Sequence, residues 1–475
     1  MSTSTAAAQP EVEEEKGDAT SAERGKAARE KAPRASHSTL DGSSDRDPVA
    51  LLTDGDESRV AELVPIRYGR MLVSPFTFFR GAASLMANDL AATPRSGLNA
   101  QLCGDAHLSN FGGFASPSRD LVFDLNDFDE TLAGPFEWDV KRLAASFEIA
   151  GRDRGFDDRE RRAAVLSAVR SYRESMRDFA AMNNLDVWYS RMNITDMISK
   201  LRSQQDKKQA KNVKRTAAKA RTKDSMKAFA KLTHEVDGEP RIISDPPLIV
   251  PIAELAEGRG RDEITAAVLE LFNGYQRTLQ PDRRKLLEGF RYVDLARKVV
   301  GVGSVGTRCW ILLLLGRDDG DPLFLQVKET STSVLEPLLG RSPFRNHGQR
   351  VVEGQRLMQA ASEIFLGWIR NKEGLDGKPR DFYVRQLWDW KTSVDTDTIL
   401  PRGLELYGEA CGWTLARAHA RSGDRVAITT YLGKSDVFDR AVADFAEAYA
   451  DLNERDYATL IEAARDGRIE VKEGL

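Results

Sequence analysis

The chain has 475 residues, a formal net charge of -4 at pH 7 and 41% hydrophobic residues. A chain of this length exceeds what one hydrophobic core usually serves, so two domains or one large two-lobed domain are predicted. The near-neutral charge balance excludes two descriptions of the whole molecule, a polycationic nucleic-acid binder and an acidic disordered chain.

The cysteines and the apolar runs bear on the cellular compartment. Three cysteines, Cys103, Cys309 and Cys411, are far apart and show no CxxC spacing, which is typical of a reduced cytosolic protein with buried thiols. No signal-peptide pattern opens the sequence, and the longest apolar run, residues 309–315, is too short to span a membrane. We therefore expect a soluble, cytoplasmic protein that does not enter a membrane.

The first half of the chain is predicted to be mainly helical after a polar tail. Residues 1–47 contain almost no large apolar side chains, so a disordered tail is expected there. Globular patterning follows, and its predicted elements are a helix at 82–91, a strand at 121–125, a helix at 136–151 and helices over 158–182. A basic stretch at 200–231 and a Pro-rich connector come next.

The second half of the chain has a different texture. Short β-type segments are predicted at 298–302, 308–315, 323–327 and 381–387, with a helix at 350–369 before the last of them and helices from residue 404 onwards. The sequence therefore predicts an α+β fold with two lobes. Residues 48–290 and 396–475 would form a helical lobe, and residues 291–395 would form a small β-rich lobe inserted between its parts.

Two short segments concentrate acidic and amide side chains. The first is the loop GDAHLSN at 104–110, which contains Asp105, His107 and Asn110. The second is LVFDLNDFDET at 121–131, whose polar residues are Asp124, Asn126, Asp127, Asp129 and Glu130. Carboxylates this close repel one another unless a hard cation neutralises them, so a metal site is predicted. A solvated acidic turn is the alternative interpretation.

A glycine-rich turn and a lysine form a second candidate cluster. Gly301, Gly303, Ser304 and Gly306 lie between two predicted strands, and Lys328 lies near the end of the strand after them. Glycines let backbone amides approach phosphate oxygens, and a lysine on a neighbouring strand can reach the same phosphates. Because the turn precedes a strand and not a helix, it favours a β-hairpin over a nucleotide and argues against a dinucleotide-binding turn.

A lysine that contacts phosphates needs an acidic partner. Glu353 shares a helical row with Leu357 and Ile364, so its charge lies on an otherwise apolar face, whereas Glu363 shares a row with polar residues. A buried charge requires a partner, and Lys328 is the predicted partner of Glu353. Pairing of Glu353 with Arg350 or Arg356 on its own helix is the alternative.

These motifs carry a resemblance to known families. The pattern G-D-x-H-x-x-N followed by D-F-D resembles the catalytic and metal-binding loops of the aminoglycoside phosphotransferase and choline kinase branch of the protein-kinase-like superfamily. The glycine turn, Lys328 and Glu353 resemble the small lobe of that superfamily. More closely, RGAASLMANDL, CGDAHLSNFG, RVVEGQRLMQAAS and FYVRQL are similar to the bacterial domain-of-unknown-function family twenty-two fifty-two, over nearly everything after the tail.

The resemblance implies roles for individual residues. Asp105 is similar to the catalytic base that accepts the proton of the acceptor hydroxyl. Asn110 and Asp127 match the magnesium ligands, with Asp124 or Asp129 as a second carboxylate. In the same way, Asp139 resembles the aspartate that holds the catalytic loop through backbone hydrogen bonds, and His107 is expected to orient that loop.

Two departures from the kinase pattern stand out. Cys103 occupies the position two residues before Asp105 where kinases usually have histidine, so the usual support of the loop is absent. The order of the motifs is also reversed, because the catalytic loop precedes the glycine turn. Circular permutation would reconcile the order, since LYGEACGWTLARAHARSG at 406–423 resembles the helix that normally leads into the catalytic loop.

Basic residues suggest further contacts. In the stretch 200–231 they recur every four residues and would wind slowly around a helix, at Lys207, Lys211, Arg215, Lys219, Lys223, Lys227 and Lys231. A solvated helix and a contact with an anionic substrate or nucleic-acid phosphate both fit this pattern. Arg67, Arg70 and Arg80 could bind phosphate or carboxylate, although structural pairing is the favoured interpretation.

The function expected from these features is an ATP- and magnesium-dependent phosphotransferase of kinase-like fold, acting on a hydroxyl-bearing acceptor, a small molecule or a protein. Two alternatives stay open: a nucleotide-binding pseudokinase-like protein without transfer activity, and an enzyme that transfers AMP. A metallophosphoesterase also uses G-D-x-H, but the further GDxxD and GNH segments that it needs are missing from the sequence.

Overall fold

The computed structural model of the protein describes residues 19–40, 46–203, 207–256, 258, 260–374, 376–387 and 389–475. Its α+β class agrees with the prediction. Over these residues the helices are α1 (Ser21–Lys31), α2 (Pro48–Thr53), α3 (Val64–Met71), α4 (Pro75–Gly81), α5 (Ala83–Ala91), α6 (Phe136–Asp153), α7 (Asp158–Ala181), α8 (Asn184–Tyr189), α9 (Ile194–Ser203), α10 (Lys207–Arg221), α11 (Ser225–Leu232), α12 (Ile252–Leu255), α13 (Arg261–Gln276), α14 (Pro281–Leu287), α15 (Glu336–Leu339), α16 (His347–Met358), α17 (Pro401–Ser422), α18 (Arg425–Leu432) and α19 (Val437–Arg465).

The strands of the described residues are β1 (Asn99–Leu102), β2 (Phe111–Ala115), β3 (Leu121–Leu125), β4 (Leu132–Pro135), β5 (Met192–Asn193), β6 (Thr233–Val236), β7 (Glu239–Ile242), β8 (Ile249–Pro251), β9 (Arg291–Lys298), β10 (Cys309–Leu315), β11 (Pro322–Thr330), β12 (Gly367–Asn371) and β13 (Arg380–Gln386). None of the described helices is both long and apolar enough to cross a membrane.

A six-stranded antiparallel sheet, in the order β12-β13-β11-β10-β9-β8, forms what we call the sheet region. The apolar run of β10 is buried on both faces, since Ile311 belongs to one apolar cluster with Phe324 and Leu312 to another with Leu325. Helix α11 packs on the first face and α13 approaches the edge strand β12. Covering both faces explains why this strand is almost continuously hydrophobic.

Helices α5, α6, α7, α17, α18 and α19 form the second part of the molecule, which we call the helical body. Its closest helix pair is α7 and α17, and the approach depends on glycine. A Cβ added at Gly412 of α17 would lie 2.1 Å from the carbonyl oxygen of Ala168 in α7, which no side chain tolerates. Arg173 of α7 also forms a buried ion pair with Asp439 of α19. The sequence-distant α17 is thus fixed beside α6 and α7.

Several predicted boundaries are wrong. The helix predicted at 350–369 ends at Met358, because residues 367–371 pair with β13 as strand β12. The strand predicted at 298–302 is β9, which ends at Lys298, and the sheet begins earlier than residue 291, since β8 pairs with β9. Short apolar segments do not distinguish a buried strand from a helix by periodicity alone.

The predicted disordered tail is wrong where the structure describes it, at residues 19–40 and 46–47. Thr20 caps α1 in a capping box, and α1 packs along α18. Arg29 Nε donates to the carbonyl oxygen of Tyr431 (3.0 Å), and buried His37 bonds the Tyr431 hydroxyl (2.6 Å). Small residues that dock on an existing surface leave little hydrophobic signal in the sequence. The remaining tail residues, 1–18 and 41–45, lie outside the described part of the chain.

The basic stretch is not one continuous helix. It is divided among α9, α10 and α11, and Asp224 caps the start of α11 by accepting the amide of Lys227 (2.9 Å). Most of its described lysines and arginines are exposed, whereas Ala210, Ala217 and Ala220 are buried. Residues 204–206 lie outside the described part of the chain. A contact of this surface with an anionic partner stays a prediction.

A buried ionic cluster joins the start of the globular region to its last helix. Arg46 Nε lies 2.5 Å from Asp89 Oδ1 of α5, and Arg46 Nη2 lies 2.6 Å from Asp456 Oδ2 of α19. All three side chains are less than a tenth exposed. Tyr449 adds a hydroxyl hydrogen bond to Asp89 (3.0 Å). Removing the arginine would leave two carboxylates buried without their cation.

Arg46→Met is therefore expected to lower the free energy of unfolding by about 3–5 kcal/mol. The matched control is Arg468→Met, which removes an exposed pair with Asp47 and should change it by less than about 1 kcal/mol. Urea unfolding of both variants measures the difference. Equal losses in the two variants would show that the Arg46 cluster is not buried as described.

Candidate active site

The acidic loop at 104–110 connects β1 to β2, and its shape depends on Gly104. Gly104 has φ of 83°, and an added Cβ would lie 2.4 Å from the carbonyl oxygen of Glu130. Asp139, in the first turn of α6, accepts the backbone amides of Cys103 (2.8 Å) and Gly104 (3.1 Å). These are the loop-holding bonds that the resemblance implies for Asp139.

The support that the sequence did not reveal comes from α17. Its buried His419 places Nε2 3.3 Å from Asp139 Oδ2, and the Tyr172 hydroxyl lies 2.9 Å from His419 Nδ1. A chain of side chains from α7 and α17 therefore holds the aspartate that holds the loop. These side chains support the loop although Cys103 replaces the histidine that kinases usually have two residues before the catalytic aspartate. No local motif predicts the contact of His419 with Asp139, because the two residues are 280 positions apart in the sequence.

Asp105 is fixed by an arginine from α6. Arg142 binds Asp105 Oδ1 through Nε (2.9 Å) and Nη2 (2.8 Å). Desolvation raises the pKa of Asp105, although Arg142 opposes the shift. The other carboxylate oxygen, Oδ2, lies 3.7 Å from Nε2 of the buried His107. His107 Nδ1 accepts the amide of Ser109 (3.2 Å), in keeping with a loop-orienting role.

The structure brings Asp127, Asp129 and Lys328 together where the sheet region meets the helical body. Lys328 lies on β11 with only 3% of its side chain exposed, and its Nζ is 3.9 Å from Asp127 Oδ2 and in direct contact with Asp129 Oδ2. The Tyr383 hydroxyl of β13 donates to Asp129 Oδ1 (2.8 Å). Carboxylates from one half of the sequence thus face a lysine from the other.

The charges in this cluster shift one another's protonation. Burial opposes the charge of Lys328, but Asp127 and Asp129 outweigh it and raise the pKa of Lys328 well above its usual value. Burial likewise opposes the charge of Asp127, yet Lys328 and Arg385 lower its pKa below the usual value. Burial and the neighbouring Asp127 raise the pKa of Asp129. The charge of Asp127 also acts on Asp105, so the two loops share one electrostatic site.

Asp124 does not join this cluster. Its carboxylate is buried against Arg417 of α17, and its oxygens also accept the amides of Leu125 (2.8 Å) and Ala360 (3.3 Å). Both oxygens are committed to protein groups. The predicted metal role of Asp124 is therefore wrong, because its carboxylate lies against α17 and not beside Lys328. A metal role of Asp129, the other candidate for the second carboxylate, stays a prediction.

Asn110 joins the two acidic loops. Its side-chain nitrogen donates to the backbone carbonyl oxygen of Asp105 (2.9 Å), and its backbone carbonyl oxygen accepts the amide of Asn126 (3.0 Å), the residue before Asp127. Neither of these two hydrogen bonds uses the side-chain oxygen of Asn110. Asn110 therefore links the Asp105 loop to the residue before Asp127, and its role as a metal ligand stays a prediction.

The predicted pairing of Glu353 with Lys328 is wrong. Glu353 Oε1 lies 3.2 Å from Arg356 Nη1 on the same helix, α16, and both side chains are about one-third exposed. The helix ends at Met358, so the apolar row that suggested a buried Glu353 does not extend to Ile364. A surface pair at i, i+3 is sufficient for this charge.

The glycine loop, residues 301–306, lies between β9 and β10 and packs against the segment that contains α3. Val305 is fully buried there, beside Leu63 and Ile66. The loop is anchored by its carbonyl groups, through bonds from Arg70 Nη1 to Gly301 O (2.6 Å), from Arg59 Nη1 to Gly303 O (2.9 Å) and from Val60 N to Gly306 O (2.8 Å). Ser304 accepts the amide of Thr307 through its carbonyl (3.2 Å).

A cavity open to solvent lies next to the cluster. Its lining includes Asn126, Gln355, Gln359, Glu363, Arg385 and Lys391. Arg385 reaches the carbonyl oxygen of Asn126 (3.1 Å) and Gln326 Oε1 (2.9 Å), which fixes its charge beside Asp127. The sequence analysis missed Arg385 and Lys391. Arg385 lies near the end of β13, the strand that also carries Tyr383, whereas Lys391 lies beyond that strand.

A family model of uncharacterized proteins conserved in bacteria, domain of unknown function 2252, matches residues 59–463. Because the match covers most of the chain, the protein belongs to this family. No curated protein and no solved structure matches the chain. Since the family's description states no chemistry, the chemistry has to be argued from the site.

Glu363 provides a pH test of the cavity. Burial raises its pKa from 4.5 to about 8. Between these values the folded protein keeps a proton that the unfolded chain has released, so the free energy of unfolding should fall as pH rises through this window. Glu363→Gln keeps an oxygen for the amide of Gln386 and should remove this part of the slope.

Urea midpoints at several pH values between 4.5 and 8 measure the effect. The control is Glu353→Gln, which removes a carboxylate that is more exposed than Glu363 and pairs with Arg356. Its free energy of unfolding should depend on pH as that of the wild type does. A Glu363→Gln profile parallel to the wild type would contradict the burial of this carboxyl.

Proposed function

We propose that the protein is an ATP- and Mg²⁺-dependent phosphotransferase with a circularly permuted, kinase-like fold. The observation that carries the proposal is the contact of Lys328 with Asp127 and Asp129, beside the loop that contains Asp105. Kinases use a small-lobe lysine for the phosphates, an aspartate for the metal and a second aspartate for the acceptor hydroxyl. The same residue types meet here in one cleft.

The arrangement of the sheet region supports a kinase-like small lobe. The glycine loop connects β9 to β10, Lys328 lies on the next strand, β11, and α16 comes between β11 and β12. In protein kinases a glycine-rich loop covers the phosphates, the lysine is on the third strand and a helix follows it. Anchoring of the glycine loop through carbonyl oxygens is compatible with amides that face a ligand.

The end of α17 supports the permutation. The amide of Gln101 in β1 donates to Ser422 Oγ, the last residue of α17, at 3.1 Å. An added Cβ at Gly423 would lie 2.8 Å from the carbonyl oxygen of Asn99. The helix that resembles the one leading into a kinase catalytic loop therefore ends beside β1, the strand that leads into the loop here. In a circularly permuted chain the helix and the strand would stay neighbours in space although the chain no longer connects them directly.

The available oxygen ligands fit magnesium. Among the described residues, no three side chains of His, Cys, Asp or Glu form a ready metal cage. Mg²⁺, however, is usually held by one or two carboxylates together with substrate phosphates, and Asp127, Asp129 and the Asn110 amide can supply that set. Magnesium and ATP, when bound, would provide the phosphoryl group and neutralise charge on it. Lys328 would then exchange its carboxylate contacts for phosphate oxygens.

Asp105 would position the acceptor. Arg142 occupies its Oδ1, so Oδ2 is the oxygen that would receive the proton of an acceptor hydroxyl. The raised pKa of this buried carboxyl makes it a better proton acceptor than an exposed aspartate. Most of the rate gain in phosphoryl transfer comes from alignment and charge stabilisation, so a small number of fixed groups is sufficient.

A nucleotide-binding protein without transfer activity is the second candidate. It is favoured by one observation: Glu353 pairs with Arg356 and leaves Lys328 without the helix carboxylate that active kinases use. Measuring nucleotide binding and turnover on the same sample separates the two functions. Transfer of AMP in place of phosphate would appear as a different mass on the modified acceptor.

Asp127→Ala is expected to lower magnesium-dependent ATP turnover by about 100-fold or more, because it removes a ligand that stabilises transition-state charge. Lys328 keeps its contact with Asp129 in this variant, so the fold should survive, as thermal unfolding can verify. Asp120→Ala, which removes an exposed carboxylate just before β3, is the control and should behave as the wild type. Unchanged turnover in Asp127→Ala would refute the metal role.

A further inference from the structure

Arg80, in the last turn of α4, is a partly buried cation without a partner. Its Nε is sealed from solvent and forms no hydrogen bond. Among the described residues, no group accepts a hydrogen bond from the rest of its guanidinium and no carboxylate forms an ion pair with it. Asp105 and Asp397 favour the charge of Arg80, but among the described residues neither forms an ion pair with it, so its terminal nitrogens are open to an anion from a ligand.

The neighbouring Arg59 and Arg67 also have a buried Nε without a hydrogen bond, but unlike Arg80 they use their terminal nitrogens. Arg67 pairs with Asp56 (3.3 Å) and donates to the carbonyl oxygen of Gly81. Arg59 and Arg70 donate to carbonyl groups of the glycine loop. Structural pairing, the favoured interpretation from the sequence, therefore holds for Arg67 and Arg70. It does not hold for Arg80.

Arg142 places Arg80 beside the catalytic loop. The guanidinium of Arg142 donates to Asp105 Oδ1 (2.9 Å) and to the carbonyl oxygen of Phe79 (2.7 Å). It also lies 3.7 Å from the centre of the Phe79 ring. Arg80 is the next residue after Phe79, so it is held within reach of the same site. Its charge acts on Asp105 and on His107.

The glycine loop borders Arg80 on another side. A Cβ added at Gly303 would lie 3.3 Å from the carbonyl oxygen of Arg80. Lys328 acts on Asp127 and Asp129, whereas Arg80 acts on Asp105, and Asp105 also feels the charge of Asp127. The charge of Arg80 therefore acts on Asp105 in addition to that of the directly bound Arg142.

We propose that Arg80 binds an anionic group, a phosphate or a carboxylate, on the acceptor whose hydroxyl faces Asp105. This inference rests on the proposed function. A guanidinium donates two parallel hydrogen bonds to such groups, and Arg80 has both of its terminal nitrogens uncommitted. The terminal phosphate of the nucleotide has the same chemistry, so the experiment must distinguish an anion on the acceptor from that phosphate.

The experiment measures binding of inorganic phosphate to the full-length protein by calorimetry, with the nucleotide site filled by Mg²⁺ and a non-hydrolysable ATP analogue. The wild type is compared with Arg80→Met, Arg80→Lys and the control Arg95→Met, whose side chain lies over the Trp138 ring and donates to the carbonyl oxygen of Ala91. We expect Arg80→Met to weaken phosphate binding at least about tenfold, which is the usual effect of losing a charged hydrogen bond. Arg80→Lys should lie between, and Arg95→Met should match the wild type.

The affinity of the nucleotide analogue separates the two sources of anion. Our proposal requires that it change less than about twofold in Arg80→Met. Phosphate that binds only when the analogue is absent, together with a weaker analogue in Arg80→Met, would assign Arg80 to the nucleotide and overturn the proposal. Phosphate binding that is absent or equal in all four proteins would also overturn it.

Failure of the proposed function would give a different result. A protein that binds no nucleotide analogue would refute the phosphotransferase, and phosphate titrated onto that free protein would still test the anion site. An Arg80-dependent phosphate affinity would then keep Arg80 as an anion-binding residue of some other chemistry. Should Arg80→Met fail to fold, Arg80→Lys tests the same contact, with an unchanged phosphate affinity as the contradicting result.

Discussion

The buried charge of Lys328 is the constraint on which the rest of the structure depends. An ammonium group that is 3% exposed needs anionic partners, and the groups that satisfy it are Asp127 and Asp129. The lysine belongs to the six-stranded sheet, while the carboxylates follow strand β3, which packs against the helical body. The same ion pair that joins these two parts also assembles the candidate active site. A ligand that attracts Lys328 must therefore compete with the contact between the two parts.

The loop of Asp105 is held by groups that the chain order separates widely. Asp139 of α6 binds the loop backbone, His419 of α17 contacts Asp139, and Tyr172 of α7 contacts His419. Arg142 fixes the carboxylate itself. These side chains are buried and hydrogen-bonded, so the loop geometry is determined before any ligand arrives. If Asp105 is the base that we propose, it would need no rearrangement at the moment of reaction.

The sequence predicted those parts of the site whose residues form local patterns. Asp127 and Lys328 were recognisable because each lies in a short motif at the end of a strand. For Glu353 the favoured partner, Lys328, was wrong because α16 ends before Ile364 and residues 367–371 pair with β13. The alternative, an arginine of its own helix, is confirmed by the pair with Arg356. Arg142 and Arg385 gave no signal, because an arginine in a helix or strand is usually a surface residue until its partners are known. His419 was also missed, because its role depends on a contact with Asp139, which is far away in the sequence.

The most direct measurement is a double-mutant cycle between the two parts of the molecule, using Lys328→Met, Asp129→Asn and the double variant. If the two side chains form the buried pair on which the site is built, the losses in unfolding free energy should not add, and the coupling should be about 1–3 kcal/mol. Losses that add to within about 0.5 kcal/mol would mean that lysine and carboxylate do not meet. In that case the sheet and the acidic loops would not share a cleft, and the account would be contradicted.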